Sequence, residues 1–218
     1  YTLPGGSRTY IGPLTQKFSE SIRLQTQVLR VKELEAGVEV HTKHGIELFD
    51  GVILAGHTDQ SDALLGDAHA SLKALLRGIP YANNDVVLHT DVQQMPANRR
   101  AWASWNYRLQ QQKNAVGAVV TYDMNRLQNL SGPHQFFVTL NNTTQIREEH
   151  ILGHWQYAHP QFGPRSLAIQ AQIDACNEGQ QIVVCGAWCR NGFHEDGVVS
   201  GEKAAFALAH HLGTTCTG

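Results

Sequence analysis

The stretch Gly192–Ala205, GFHEDGVVSGEKAA, gathers glycines, acids and small residues a few positions after a short apolar run, Ile182-Val183-Val184-Cys185, that Gly186 closes. A continuous apolar run bounded by glycine is the texture of a buried parallel strand. From Gly197 onward Val198, Val199, Ala204, Ala205, Leu208 and Leu212 recur at roughly helical spacing. Glu195 and Asp196 fall in the first turn, where the helix dipole favours negative charge. The chemistry on offer is that of the backbone. Free N–H groups and the positive dipole end of a helix start face whatever lies at the carboxyl edge of the preceding strand, a setting for an electron-rich ligand. Gly197 would let that ligand approach the backbone, and Gly201 would let the helix lie close to its neighbours. Spacing alone leaves the alternative open that the glycines serve packing and the acids merely complement the dipole.

Other residues with chemical potential carry weaker patterns. His89 and Asp91 alternate in the strand candidate DVVLHTDV and so face one side, either as polar groups orienting a substrate or as ties between the strand and the next loop. They are the weak catalytic candidates. Twelve histidines invite a metal reading, yet His41/His44 and His210/His211 lack a convergent carboxylate or thiolate set, so no metal site is expected. Cys185 and Cys189 form neither a C-x-x-C pair nor a partnered zinc pair, which assigns them to packing. Trp102, Trp105 and Tyr107 read as sheet core. No G-x-S-x-G elbow is present.

The elements that must position these residues follow from periodicity. LPGGSRTYIGPLTQKFSES is expected to form a helix capped by Ser7, with Tyr10, Leu14 and Phe18 on one face. IRLQTQVLRVKEL and GVEVHTKHGIELFDGVILAG predict a β-meander leading into a buried strand, Val52-Ile53-Leu54-Ala55. SDALLGDAHASLKALLRGI is helical, interrupted by Gly66 and closed by Gly78. DVVLHTDV, AWASWNYRL, AVGAVVTYD and QFFVTLNN predict an antiparallel sheet, after which the helix RSLAIQAQIDACN leads to the Val183 strand. The fold class expected is α/β with an inserted antiparallel β-sheet: residues 1–79 and 161–218 share one layer, and 80–160 form the excursion.

Composition narrows the partners. A formal net charge of −2 over 218 residues, with 42% hydrophobic residues, supplies a core but no basic stripe for nucleic acid and no polybasic membrane anchor. No apolar run is long enough to span a bilayer. Four cysteines without repeated spacing argue for a reducing compartment, and hence a cytoplasmic location.

The segment CGAWCRNGFHEDGVVSGEKAA resembles the C-terminal FAD-binding segment of flavin-containing amine oxidoreductases, the family of monoamine oxidase-like and phytoene desaturase-like enzymes. LPGGSRTYIGPL, VVLHTDVQQMPANRRAWASWNY, VTYDMNRLQNL, FFVTLNN and YAHPQF extend the likeness, in order, to a bacterial branch described as predicted NAD/FAD-binding proteins and also found fused to some cyclopropane-fatty-acid synthases. The resemblance implies a partial FAD/NAD(P)-binding Rossmann-like domain joined to an amine-oxidase-type substrate domain spanning 80–160. It implies FAD as cofactor and hydride transfer from a C–N or C–C bond of a small-molecule substrate, an amine or a lipid-like compound. Its cofactor contacts map onto Val28, Gly186, Ala187, Phe193, His194, Glu195, Asp196, Gly197 and Val198, with backbone donors to the flavin C2 carbonyl within Glu195–Val198. Ala187 departs from the family pattern, which carries an acid at that position. The family also opens with a G-x-G-x-x-G helix start that this sequence does not contain, so the chain is expected to be the C-terminal portion of a longer protein or a truncated product that binds FAD poorly. A flavin-dependent desaturase or isomerase, and a cofactor-free lipid-binding or interaction module, are the rival readings.

Overall fold

The structure, a computed structural model, describes residues 2–112 and 115–214. In chain order it comprises α1 (Ile11–Thr15) between 3-10 turns at Ser7–Tyr10 and Gln16–Ser21, then strands β1 (Val28–Leu34), β2 (Gly37–Thr42), β3 (Gly45–Phe49) and β4 (Val52–Leu54). Helices α2 (Thr58–Leu64) and α3 (Ala70–Leu76) follow, then β5 (Tyr81–His89), β6 (Trp105–Gln112), β7 (Ala115–Asp123), α4 (Met124–Gln128), β8 (Phe137–Leu140) and β9 (Ile151–Pro160). Helix α5 (Pro164–Asn177), β10 (Ile182–Val184) and α6 (His194–His211) complete it. Two compact units result, one of Tyr1–Ile22 with Asn83–His159 and the other of Arg23–Ala82 with Pro160–Gly218.

In the second unit β1, β2 and β3 form the antiparallel meander, while β10 pairs in parallel with β4 in the register Ile182↔Val52, Val183↔Ile53, Val184↔Leu54. Strand β10 is buried on both faces, the reason its sequence is uninterrupted by polar residues. Ile182 and Val184 join a cluster with Val31, Leu76, Ile169 and Ile173, whereas Val183 and Cys185 pack with Ala204 of α6. Each fully buried aliphatic side chain here contributes about 1.5–3 kcal/mol. Helix α5 starts with Pro164 at its first turn and turns Ser166, Ile169, Ile173 and Asn177 inward at three- and four-residue intervals. Among the described residues the outer edge of β10 has no strand beside it. Instead Asn177 mimics one: Val184 N–H donates to its Oδ1 at 2.9 Å, and its Nδ2 donates to the Val184 carbonyl at 2.8 Å.

The first unit holds an antiparallel sheet in the order β6-β7-β8-β5-β9. Alternation splits its residues between two faces. One face carries Val87, His89, Val119, Thr121, Phe137 and Thr139, all buried. The other carries Leu88, Val120, Tyr122, Val138 and Leu140, half-buried, and Trp105, Tyr107 and Leu109, exposed.

Several expectations are corrected. Trp105 and Tyr107 are not sheet core, being 45% and 65% exposed, although Trp105 stands edge-on to Tyr122; Trp102 is half-buried, its indole Nε1–H donating to the Pro96 carbonyl at 2.8 Å and its ring standing edge-on to Phe137. Strand β9 was not anticipated, because its residues are mostly exposed and its sequence does not alternate. The N-terminal segment is three short turns, with Gly6 and not Ser7 at the cap and a break at Phe18 (φ −134°), and its Leu14 and Phe18 are exposed. Ile53, in the strand expected to be buried, is 36% exposed.

Replacing Asn177 with Leu should lower unfolding free energy by about 1–3 kcal/mol, because the Val184 N–H and C=O would stay buried without partners. Urea denaturation checks this; an unchanged midpoint would show that water or a backbone shift satisfies the strand edge.

Candidate functional site

The carboxyl ends of β4 and β10 run into Gly56 and Gly186, and the indole of Trp188 lies across both. Its Nε1–H donates to the Gly56 carbonyl at 3.1 Å, and a Cβ on Gly186 would stand 2.4 Å from that same nitrogen. Only glycine leaves room for the indole at that point. Ser200, one turn into α6, closes the other side: Gly186 N–H donates to its Oγ at 3.0 Å, and the Gly186 and Gly197 carbonyls each lie 3.0 Å from that oxygen as acceptors for its single proton. The amide of Gly186 is therefore committed within the protein.

From Gly186 the chain passes through a 3-10 turn, Ala187–Cys189, to Gly192, whose φ of 87° requires glycine. Phe193 is the N-cap of α6 and offers no side-chain cap. The Asp196 carboxylate, 7% exposed, takes up the approach instead, its Oδ2 accepting from Asn191 N–H at 3.2 Å and Phe193 N–H at 3.0 Å. Gly197 N–H already donates back to the Phe193 carbonyl, so helix geometry retains the amides of Gly197 and Val198 inside the helix. The first-turn amides of Glu195 and Asp196 have no intrahelical acceptor. Around them Phe193 and Val198 are 59% and 46% exposed, and Ala187 lies 3.8–3.9 Å from where a Gly197 Cβ would be. This gathers Gly186, Ala187 and Phe193–Val198 at one strand-to-helix junction. Val28 lies elsewhere in the unit, at the start of β1, half-buried against the main core cluster. Gly201 faces open space, so it does not serve close packing. Ser200 and Trp188 were not singled out from sequence; the Asp196-Ser200-Ala204 spacing, which marks the buried face of α6, is the signal that could have found the serine.

His89 and Asp91 do share a side, as alternation requires, and both are sealed from solvent. Asp91 N–H donates to His89 Nδ1 at 3.1 Å, which places the ring proton on Nε2. That proton is donated to Thr139 Oγ1 at 2.7 Å, and the Thr139 and Thr121 hydroxyls share a hydrogen bond at 2.8 Å. Burial pushes the imidazole down to about 4. For Asp91 burial opposes ionisation, but hydrogen bonds from Arg147 and the Gln93 amide outweigh it and hold the carboxyl well below the usual range. Arg147 donates Nη2 to Oδ1 at 2.9 Å, with Nε and its backbone N–H on Oδ2. The geometry ties β5 to the next loop and leaves neither group facing a ligand.

Among the described cysteines, Cys176, Cys185 and Cys189 are unpaired; Cys216 lies outside the described residues. Burial pushes the Cys189 thiol up to about 12, so it is a protonated packing group and not a nucleophile. Among the described residues no three His, Cys, Asp or Glu side chains converge, and no helix is long and apolar enough to cross a membrane.

The sequence matches no family model and no curated protein. Solved structures do match. Cyclohexylamine oxidase from Brevibacterium oxydans aligns over 95% of this chain and 53% of its own, with a TM-score of 0.61 at 13% identity. A CLA-producing fatty acid isomerase from P. acnes aligns over 92% and 51%, at 0.58 and 12%. A reduced UDP-galactopyranose mutase aligns over 98% and 53%, at 0.57 and 13%. The chain thus spans about half the length of these structures and shares their mixed α/β fold with antiparallel sheets. An oxidase, an isomerase and a mutase on one fold mean that the fold does not select the reaction.

Two outcomes are expected. Gly186→Ala should displace the Trp188 indole and lower stability by about 1–3 kcal/mol in urea denaturation; an unchanged midpoint would remove the steric argument. His89 titrates near 6.5 when unfolded and near 4 in the fold, so the unfolded state binds the extra proton between those values and stability falls as pH drops through that window. From pH 7 to pH 5 the share assigned to His89 is about 2 kcal/mol, while Asp91 stays ionised in both states and adds no slope. His89→Gln should lose that share, and parallel pH dependences for variant and parent would overturn the buried neutral assignment.

Proposed function

We propose that the chain is part of an FAD-dependent oxidoreductase of the amine oxidase type, which oxidises a C–N or C–C bond of a small-molecule substrate. The observation that carries this reading is the junction from β10 through Gly186 to α6. A parallel strand feeds a helix whose first turn lacks a side-chain cap, and two amides there have no intrahelical acceptor. Those amides, bordered by exposed Phe193 and Val198, fit one end of a flat, partly apolar ring that carries a carbonyl acceptor. Ala187 supplies no carboxylate, so any contact made there falls to the backbone.

Bound flavin supplies the two-electron acceptor. The chain's own residues position and shield. Glu195 and Asp196 N–H groups would donate to the ring carbonyl, with the dipole of an eighteen-residue helix behind them. The Asp196 side chain holds the 191–193 approach, and Ser200 fixes Gly186 against the helix. Val28 stands as the candidate for adenine contact through its backbone. Fold likeness to an amine oxidase supports the oxidase reading, and the unpaired thiols support a reducing, cytoplasmic setting.

A second reading, a desaturase or isomerase acting on a lipid-like substrate, is favoured by one observation: the face of the first unit's sheet that carries Leu88, Val120, Tyr122, Val138, Tyr107 and Leu109 shows no charged side chain among the described residues of β5 to β8. The fold likeness to a fatty acid isomerase supports it as well.

The test is spectroscopic. Protein expressed with whatever its reading frame places before Tyr1 should purify with flavin absorbance, whereas the 218-residue chain should retain little. Gly197→Val should deplete flavin, because a β-branched side chain would crowd the helix start beside Ala187. Glu195→Gln should change flavin content little and stability by about 0.3–1 kcal/mol, the size of a helix-dipole interaction. A colourless extended protein that takes up no added FAD sinks the proposal, and the reverse ranking of the two variants sinks the backbone-donor role.

A further inference from the structure

A cleft of about 430 Å³ opens in the first unit, remote in sequence from the flavin-type junction and unused by the function proposed above. Its lining includes Arg99, Trp102, Asp123, Arg126, Asn129 and Gln135. A volume of this order suits a small ligand.

The charges in it are unequal. Asp123, at the end of β7 and 1% exposed, is the cleft's carboxylate, and α4 already consumes it. Its Oδ1 accepts the Arg126 backbone N–H at 3.2 Å, and its Oδ2 is ion-paired with Arg126 Nε at 3.2 Å. The two terminal nitrogens of Arg126, on a side chain 51% exposed, have no acceptor among the described residues. Arg99 has no carboxylate partner among the described residues either. Its guanidinium lies 5.3 Å from the centre of the Trp102 ring, a cation–π contact that fixes its position without using its N–H donors. Trp102 is itself pinned by its bond to the Pro96 carbonyl and its edge contact with Phe137. Asn125 clamps the rim, donating to the His134 carbonyl at 2.8 Å and accepting from Phe136 N–H at 2.8 Å, so the loop that carries Gln135 is held in place. Two guanidiniums against one spent carboxylate leave one positive charge, with forked donors already oriented.

We propose that this cleft binds a small ligand through an oxyanion group, a carboxylate or a phosphate, gripped between Arg99 and Arg126. Forked guanidinium donors match the paired oxygens of either group. The side-chain amides of Asn129 and Gln135 supply further donors at the rim, and no second acid opposes the anion. The proposal does not depend on the flavin reading.

Titration calorimetry on the 218-residue chain with inorganic phosphate, and separately with succinate, tests it. At least one should bind saturably and more weakly as salt rises, and which one binds assigns the group. Arg99→Gln should weaken binding about tenfold or more. Arg126→Lys keeps a cation beside Asp123 yet loses the fork, and should weaken it as well. Arg8→Gln, outside the cleft, should bind as the parent does, and thermal melts of all three variants should stay near that of the parent. The proposal is overturned if neither anion binds saturably, or if folded Arg99→Gln binds as tightly as the parent.

Discussion

A buried parallel strand of three residues with a partner on one edge alone cannot satisfy its own backbone, and much of the second unit answers that constraint at β10. Pairing of β10 with β4 uses one edge of each strand. Side chains complete the account where it matters: Asn177 of α5 on Val184, Ser200 of α6 on Gly186, and Trp188 on the Gly56 carbonyl. An unpartnered buried amide or carbonyl costs about as much as a hydrogen bond is worth, roughly 1–3 kcal/mol. The helices that cover the strands therefore also terminate them. Fixing Gly186 by Ser200 fixes where α6 begins, and the start of α6 decides which amides are left over.

That chain of dependence explains which parts were legible in the sequence. The β10 run and the α6 periodicity could be read because burial on two faces and on one stripe leave different apolar patterns. The donors within Glu195–Val198 could be named only as a segment. A helix beginning at His194 withdraws Gly197 and Val198, and a boundary shift of one residue is beyond what residue types encode. Alternation placed His89 and Asp91 on one side but carried no information on what covers that side. The same gap misplaced Trp105 and Tyr107: aromatic identity marks a strand, not a core. Strand β9 lacked even alternation, since its residues are mostly exposed.

The first unit's sheet divides its work between its faces. On the buried one the His89 ring and the hydroxyls of Thr139 and Thr121 form a hydrogen-bonded chain beside Phe137 and Val87. Polar atoms there are affordable only because they are paired. The opposite face is apolar and only partly covered: Val86 is buried, Leu88, Val120, Tyr122, Val138 and Leu140 are half-buried, and exposure concentrates toward β6 at Trp105, Tyr107 and Leu109.

Arginine–carboxylate chemistry occurs in that unit in two forms, and their difference separates scaffold from site. At Asp91 the carboxylate accepts from both Arg147 Nη2 and Nε, from the Arg147 backbone and from Gln93; it is fully enclosed, and the pairing is bidentate. There Nη2 and Nε of Arg147 face Asp91 while Nη1 lies 3.7 Å from Glu149, so an acid already flanks the guanidinium's remaining edge, and removing Arg147 would leave the buried Asp91 carboxylate without its cation. At Asp123 the carboxylate is just as enclosed, but it holds only the Nε and the backbone of Arg126. The guanidinium's outer edge stays open to the cleft, with Arg99 poised over Trp102. Charge pairing through one edge orients the guanidinium while leaving the other edge able to bind. Residue types alone, an Asp and an Arg in each case, do not distinguish the two; which guanidinium nitrogens are spent does.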